Sequence, residues 1–351
     1  MMTNLSISED WIENLQFNSN ELTTIRSIGE YRGKQELYAK QSPEVLNNLG
    51  IVAKIESSES SNRMEGIFVD RNRVEKIVQR PKETLQNRSE QEVAGYRDAL
   101  QMIHESAEYM PINSNVVLQL HRIICQYTSN SGGCWKPTDN EIIETDAKGN
   151  RIVRFKAVTA VQTPQAMNEW AMKYHASIKR LDPIIVIPLA ILDFLCIHPF
   201  LDGNGRISRL LTLLMLYQAD YHVGRYISLE RVIEQSKESY YETLQQSSQS
   251  WHNGHHDSKP WLHYFWGVII KAYRELDDNV ADIKRGKGSK TEMIRQAVHH
   301  RMGPFSITEL QDQLPTIGRA MIKLVLADLK KEGIITLQGK GRGAKWIKKQ
   351  I

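Results

Sequence analysis

Two apolar segments flank one short polar loop, and this arrangement constrains the chain more than any other. The segments are residues 183–197 (PIIVIPLAILDFLCI) and 207–221 (ISRLLTLLMLYQADY). Each is apolar nearly all round, so each predicts a buried helix. At about 15 residues both fall short of the about 20 needed to span a bilayer. Two buried helices joined by a short connection predict the centre of a mainly helical domain.

The connecting run is His198-Pro199-Phe200-Leu201-Asp202-Gly203-Asn204-Gly205-Arg206-Ile207-Ser208-Arg209. Gly203 and Gly205 tolerate positive φ, so successive N–H groups can converge on one anion. The nest lies where the second helix begins, and free N–H groups and the helix dipole favour phosphate there. Arg206 and Arg209 are three apart, share a helical face and suit phosphate oxygens. Asp202 supplies one carboxylate, and Mg²⁺ commonly takes one or two while leaving its other positions to water and phosphates. His198 ends the first helix; an imidazole near its ordinary pKa of about 6.5 accepts a proton at neutral pH. Phe200 is expected to point into the core and pin the loop. Singly, a His at a helix end, a Gly-x-Gly and a pair of arginines are ordinary structural features. Within twelve residues they describe a place for a nucleotide phosphate beside a reacting hydroxyl.

This run resembles the signature of Fic proteins, His-x-Phe-x-(Asp/Glu)-Gly-Asn-Gly-Arg-x-x-Arg, at every defined position. The resemblance implies a Fic-type helical core and an adenylyltransferase, which moves AMP from ATP to a Ser, Thr or Tyr hydroxyl of a protein and releases pyrophosphate. It implies His198 as general base and Asp202 as the Mg²⁺ ligand. Gly203, Asn204 and Gly205 would bind phosphates, and Arg206 and Arg209 would hold the outer ones. A related branch with Lys at the place of Gly205 phosphorylates proteins instead, so the glycine points to AMP transfer.

Three further stretches are similar to parts of the same family. Ser61-x-x-x-Glu65-Gly66 resembles an inhibitory motif in which the glutamate takes an arginine equivalent to Arg209 and keeps the γ-phosphate from seating productively. The structural alternative is a serine-rich helix start with Ser61 as N-cap. Tyr240 and Tyr241 resemble a pair that packs by the adenosine, although tyrosine pairs are equally common in cores. Relatives carry Asn seven residues after the second Tyr, where Ser248 stands here. Residues 139–158 are similar to the family's flap: Glu141, Ile142 and Ile143 fall in a first strand, Lys148-Gly149-Asn150 makes the turn, and 151–155 returns as a second strand. Such a hairpin aligns a target segment by main-chain pairing. Its lead-in departs from the family's Gly-x-Tyr-Arg, because Gly133-Cys134-Trp135-Lys136 stands here.

Charge divides the chain. From residue 284 onward there are fifteen basic and five acidic residues, against thirty and thirty-six before it. The polar stretch 284–290 predicts a linker. Beyond it, helices near 292–301, 308–314 and 319–332, with Gly333 as a stop, precede a hairpin with a basic glycine-rich tip at Lys340 and Arg342. This order resembles a winged helix-turn-helix. Arg319, Lys323, Lys330 and Lys331 on its third helix would meet DNA phosphates, or else form the exterior of a docking or dimerisation module.

The expected organisation is therefore an N-terminal helical region (1–112) with the inhibitory motif, a catalytic core (113–283), the linker (284–290) and a winged helix (291–351). Within the first region, Ser89 is expected to cap a helix with Glu92 at N3. Expected partners are ATP, Mg²⁺, a protein substrate, DNA through 291–351 and a second copy of the chain; no membrane is expected. Three scattered cysteines and an N-terminus without a basic start and apolar run predict a cytoplasmic protein. His252, His255, His256 and His263 cluster in a polar loop without convergent ligand spacing, which argues against zinc. Two alternatives stand beside the main reading. One is a DNA-binding regulator whose core modifies itself or senses ATP. The other is removal of AMP from a modified protein, with Glu65 orienting water.

Overall fold

A computed structural model describes residues 4–348 except 42, 131, 146–150, 283–289, 300, 302, 315–316 and 340–343. The predicted turn at 148–150, nearly all of the predicted linker, and the wing residues Lys340 and Arg342 lie outside the described residues. The fold is mainly helical, as expected. Helices α1 (Glu9–Glu13), α2 (Ser19–Gln41), α3 (Pro43–Met64), α4 (Arg71–Gln79), α5 (Arg88–Ser106) and α6 (Ser114–Cys125) precede a hairpin of β1 (Glu141–Thr145) and β2 (Arg151–Lys156). Then follow α7 (Thr163–Ser177), α8 (Pro183–Ile197), α9 (Asn204–Gln218), α10 (Leu229–Glu234), α11 (Lys237–Ser248) and α12 (Lys259–Asp282). No helix among the described residues is long and apolar enough to cross a membrane.

The two apolar segments are α8 and α9, packed on each other at the centre. Asp182 caps α8 by accepting from the Ile184 N–H, and Pro183 occupies the first turn, where its missing N–H costs nothing. Every residue from Ile184 to Ile197 is buried. Pro188 cannot donate to the Ile184 carbonyl four residues back. The indole of Trp266 on α12 fills that vacancy, with Nε1 donating to Ile184 O at 2.8 Å. Trp261 on α12 donates to Pro188 O and Trp170 on α7 to Ala190 O, each at 2.8 Å. Three buried tryptophans thus wrap an apolar helix while satisfying their own N–H groups.

The N-terminal helices are not a separate layer. Leu5, Ile28, Tyr96 and Leu100 belong to the same hydrophobic cluster as α8, α9 and α12. Asp193, wholly buried in α8, accepts from Ser6 N (2.8 Å), Ser6 Oγ (2.6 Å), Ile7 N (3.1 Å) and Trp251 Nε1 (2.8 Å). His256 reaches the same Ser6 hydroxyl at 2.7 Å and stacks on Trp11 at 3.8 Å. Three of the four histidines of this stretch are spent separately in this way. His252 bonds Lys156 O, His263 bonds Glu21, and among the described residues no three or more His, Cys, Asp or Glu side chains converge as a metal site would need.

One cap differs from expectation. Asn87, not Ser89, starts α5 by accepting from the Glu90 N–H at 3.0 Å. Glu92 is drawn away from any capping role by Arg88 and Arg206.

After residue 289 the chain builds a second, smaller core. Helices α13 (Lys290–His299), α14 (Ile307–Gln313) and α15 (Arg319–Lys331) pack around Phe305, Leu310, Ile322 and Leu326. Strands β3 (Ile335–Gln338) and β4 (Lys345–Lys348) pair antiparallel. Ser306 and Glu309 close a reciprocal capping box on α14, and Gly333 at φ +78° ends α15.

Buried imidazoles make this fold acid-sensitive. Burial pushes His104 down to about 3, and His121, His198 and His256 down to about 4. In the unfolded chain they protonate near 6.5, so below that pH the unfolded state binds more protons and stability falls as pH drops towards about 4. Each imidazole is worth on the order of 3 kcal/mol over that window. Asp193 works the other way: burial raises it to about 6 despite its four donors, so the folded state takes up its proton first. Four groups outweigh one. Urea midpoints should therefore fall clearly between pH 7 and pH 5, and equal midpoints would contradict the burial of these rings.

Candidate active site

A cavity of about 380 Å³ opens between the α8–α9 loop, the end of α3, the β hairpin and α11. It gathers His198, Gly205, Arg209, Glu65, Tyr240, Tyr241 and Ile142, which the sequence reading had assigned to one site.

His198 is the C-cap of α8, in a left-handed conformation with φ 51°. Its Nδ1 lies 3.2 Å from Leu195 O. A carbonyl can only accept, so Nδ1 bears the proton and Nε2 keeps its lone pair. The expected pKa near 6.5 is corrected. Burial, with the Lys136 ammonium adding to it, pushes the imidazole down to about 4, while Leu195 O and Glu65 oppose the shift. The ring is therefore neutral at pH 7 and ready to accept a proton, but it is a weaker base than a solvated one.

Glu65 stands immediately after α3. Gly66, at φ +79°, ends that helix, and Ile67 N bonds back to Asn62 O at 3.0 Å. Ser61 is therefore in the helix's last turn and not its N-cap. Arg209 donates to Glu65 Oε1 (2.7 Å) from Nη2, to Ser61 Oγ (2.8 Å) from Nε, and to Ser61 O (2.8 Å) from Nη2. The arginine side chain is 3% exposed and the glutamate 25%. The carboxylate thus sits on a buried guanidinium at the edge of the cavity.

The glycines divide the work differently than expected. Gly203 takes φ +85° as N-cap of α9, and a Cβ there would approach Ile124 within 2.9 Å. Gly205 is helical. Its Cβ would fall 2.3 Å from Glu65 Oε1 and 3.2 Å from Arg209 Nη1, so a side chain here would push the ends of these two flexible side chains and glycine leaves their contact undisturbed. No side chain caps the N-terminus of α9, which leaves its first N–H groups for an anion. Asn204 turns its amide onto its own loop, donating to Phe200 O (2.7 Å) and accepting from Phe200 N (3.0 Å).

Arg206 and Arg209 do not act as one fork. Arg206 lies beside α5, with Nη1 donating to Glu92 at 2.6 Å and Nη2 to Asp202 Oδ2 at 3.1 Å. Its buried Nε has no partner among the described residues. Asp202 also accepts from Gly203 N at 2.6 Å, and its side chain is 58% exposed. Asp202 offers one accessible carboxylate of the kind Mg²⁺ takes beside phosphates, whereas the Arg206 guanidinium, itself a cation, can only donate to an anion.

Several residues grip the loop, among them Lys136, which the sequence marked only as a departure in the flap's lead-in. Lys136 Nζ donates to Ile197 O (3.2 Å), His198 O (3.0 Å) and Asn140 Oδ1 (2.7 Å), while Lys136 N donates to Pro199 O (2.9 Å). Asn140 Nδ2 donates to Phe200 O at 2.9 Å. The Phe200 ring is buried, as expected, and stacks on His121 at 3.8 Å. Gly133 N donates to His121 Nδ1 at 3.0 Å, which leaves Nε2–H facing Asp202 O at 3.3 Å.

The hairpin forms with Ile142 opposite Phe155 and Ile143 opposite Val153; an irregularity between Ile142 and Ile143 shifts the register, and Glu141 lies opposite Lys156. Arg154 bonds Tyr241 O and so ties the hairpin to α11. Phe155 stacks on His252 at 5.2 Å. Tyr240 is buried against Trp261 and Tyr264, whereas Tyr241 meets it edge-on at 5.1 Å and is only partly covered. Arg154, Phe155, Leu195, Cys196, Gln245 and Ser248 also line the cavity. The sequence placed Arg154 and Phe155 in the flap's second strand and noted Ser248 as a departure, but it did not point to Leu195, Cys196 or Gln245 as part of a site.

Residues 111–216 match the model of the Fic/DOC family. Across most of the chain the fold is similar to that of a Fic family protein from Desulfovibrio desulfuricans (TM-score 0.63, 18% identity, 95% of this chain and 97% of that one). It is also similar to a Fic domain containing signaling protein from Bacteroides thetaiotaomicron (TM-score 0.58, 20% identity, 74% and 98%). Fic-1 from C. elegans is a further match (TM-score 0.57, 18% identity, 74% and 73%). At these identities the three structures show a shared fold, and the family match falls on the segment that holds the α8–α9 loop.

Proposed function

We propose that this chain transfers AMP from ATP to a hydroxyl of a protein and is held back by Glu65. The observation that carries the reading is the shared cavity. A neutral imidazole with a free Nε2 lines it together with a buried arginine whose guanidinium is occupied by a carboxylate. Fic domain proteins typically modify proteins by group transfer, and the intact signature supports the same class here.

In this reading the first N–H groups of α9 and Arg209 hold the phosphates. His198 Nε2 takes the proton of the attacking hydroxyl. The hydroxyl oxygen bonds to the α-phosphorus, and the bond to the bridging oxygen breaks to release pyrophosphate. Asp202 would hold Mg²⁺, which neutralises phosphate charge when bound. Tyr241, Leu244 and Phe155 offer apolar surface to the base. Most of the work is positioning and charge stabilisation, as in other phosphoryl transfers. The test is incubation of wild type, Glu65→Gly and His198→Ala with α-labelled ATP, Mg²⁺ and lysate. The reading expects label on protein with Glu65→Gly, little with wild type and none with His198→Ala; equal labelling in all three would reject it.

A second reading concerns the smaller unit. Helix α15 buries Ile322, Val325, Leu326 and Leu329 and leaves Arg319, Lys323, Lys330 and Lys331 exposed. That basic face supports contact with nucleic-acid phosphates. Random duplex DNA should be retarded at low salt, and Lys323→Glu with Lys330→Glu should abolish the shift. Absence of any shift at low salt would leave this face to a protein partner.

A further inference from the structure

Lys136 is 3% exposed, and among the described residues no carboxylate is bonded to its ammonium. Asp139 acts on it only at a distance and does not outweigh the cost of burial, and a buried charge with no carboxylate bonded to it persists only where its bonds are needed. All three bonds converge on one place. Two go to Ile197 O and His198 O, where α8 ends, and the third goes to Asn140, which itself holds Phe200 O. A cation at a helix C-terminus meets both the unpaired carbonyls and the negative end of the dipole. Here it also meets a non-glycine residue in the left-handed region, a conformation that costs about 1–2 kcal/mol and persists only when its surroundings impose it.

We propose that Lys136 is a positioning residue for His198, its ammonium fixing the left-handed turn that turns the imidazole into the cavity. The proposal rests on the reading of His198 as the base. In its absence the carbonyls of Ile197 and His198 lose their donor, the turn relaxes, and Nε2 leaves the line of the incoming hydroxyl. Other charged groups lining the cavity with the ring are Glu65 at the end of α3, which acts on it electrostatically, Arg209 on α9 and Arg154 on β2; Tyr240 and Tyr241 line it from α11. Lys136 differs from them in holding the backbone of His198 itself.

The test uses the full chain and two readouts. The first is the proton NMR titration of the His198 ring, assigned by its loss in His198→Ala, in nucleotide-free protein. The second is steady-state transfer in the Glu65→Gly background. Lys136→Met should release the ring to solvent and move its titration upward from the buried value. It should lower kcat by about ten- to a hundred-fold, as misplacement of a reacting group does, and leave KM for ATP within about threefold. Lys136→Arg, which can reach the same carbonyls, should restore kcat. Should Lys136→Met fail to fold, Asn140→Ala removes one acceptor of the ammonium and the Phe200 O contact while leaving Lys136 charged, and a smaller change in the same direction is expected. An unmoved His198 titration with unchanged kcat, in whichever of these variants folds, would overturn the proposal. If His198→Ala still transfers AMP, the functional reading fails instead, and the ring titration continues to report whether Lys136 positions it.

Discussion

Replacing Glu65 with glycine should raise AMP transfer by about a hundred-fold. The carboxylate bonds the guanidinium of Arg209 at 2.7 Å, and that guanidinium is otherwise committed to Ser61. An outer phosphate that needs the same fork must displace Glu65. At 4 Å and an effective dielectric of 20 such a pair gains up to about 4 kcal/mol before desolvation is charged against it. A net preference of about 2.7 kcal/mol leaves about 1% of molecules competent, which sets the size of the expected gain. Gly205 makes the contact close, since a Cβ there would collide with Glu65. Glu65→Gln separates charge from shape: it retains the side chain's size and should release only part of the block. Initial rates with labelled ATP measure both variants. Equal rates for wild type and Glu65→Gly would mean that Glu65 and phosphate do not compete.

His198→Ala, made in the released background, should lower transfer by about 10²–10⁴-fold, the usual contribution of a positioned general base. ATP affinity should change little, because the anion site is built from α9 and Arg209. The loss should appear in kcat rather than KM. A variant that binds ATP normally and transfers at the unmodified rate would remove the imidazole from the reaction. A variant that loses binding as well would instead recast His198 as part of the nucleotide site.

The centre of this fold was legible because its signals are local. Asp182 and Pro183 announce α8, its apolar run is unbroken, and the loop that follows is recognised residue by residue. Glu65 was legible for the same reason: the motif is contained in six residues, and α3 delivers the glutamate to Arg209. What escaped depends on tertiary partners. Ser89 and Asn87 are both good caps, and in the folded chain Asn87 takes the role while Arg88 and Arg206 hold Glu92 elsewhere. Gly205 looked like a left-handed residue, but α9 begins one residue earlier and the glycine instead makes room for a carboxylate. The pKa of His198 followed from burial that no spacing reveals. Asn140 and His121 lie 58 and 77 residues before His198 and carry no pattern of their own, and Lys136, 62 residues before it, stands only where the flap's lead-in departs from the family. Their role appears only when the loop they hold is folded against them.

The central claim is that Glu65 stands where an outer phosphate of ATP belongs, with His198 facing the reacting phosphorus. A crystal structure of Glu65→Gly with ATP and Mg²⁺ tests it most directly. The account predicts the triphosphate along the start of α9, an outer phosphate on Arg209, and Nε2 of His198 turned to the space beside the α-phosphate. Nucleotide bound elsewhere, or an imidazole turned from that phosphate while Arg209 stays on Ser61 alone, would contradict it.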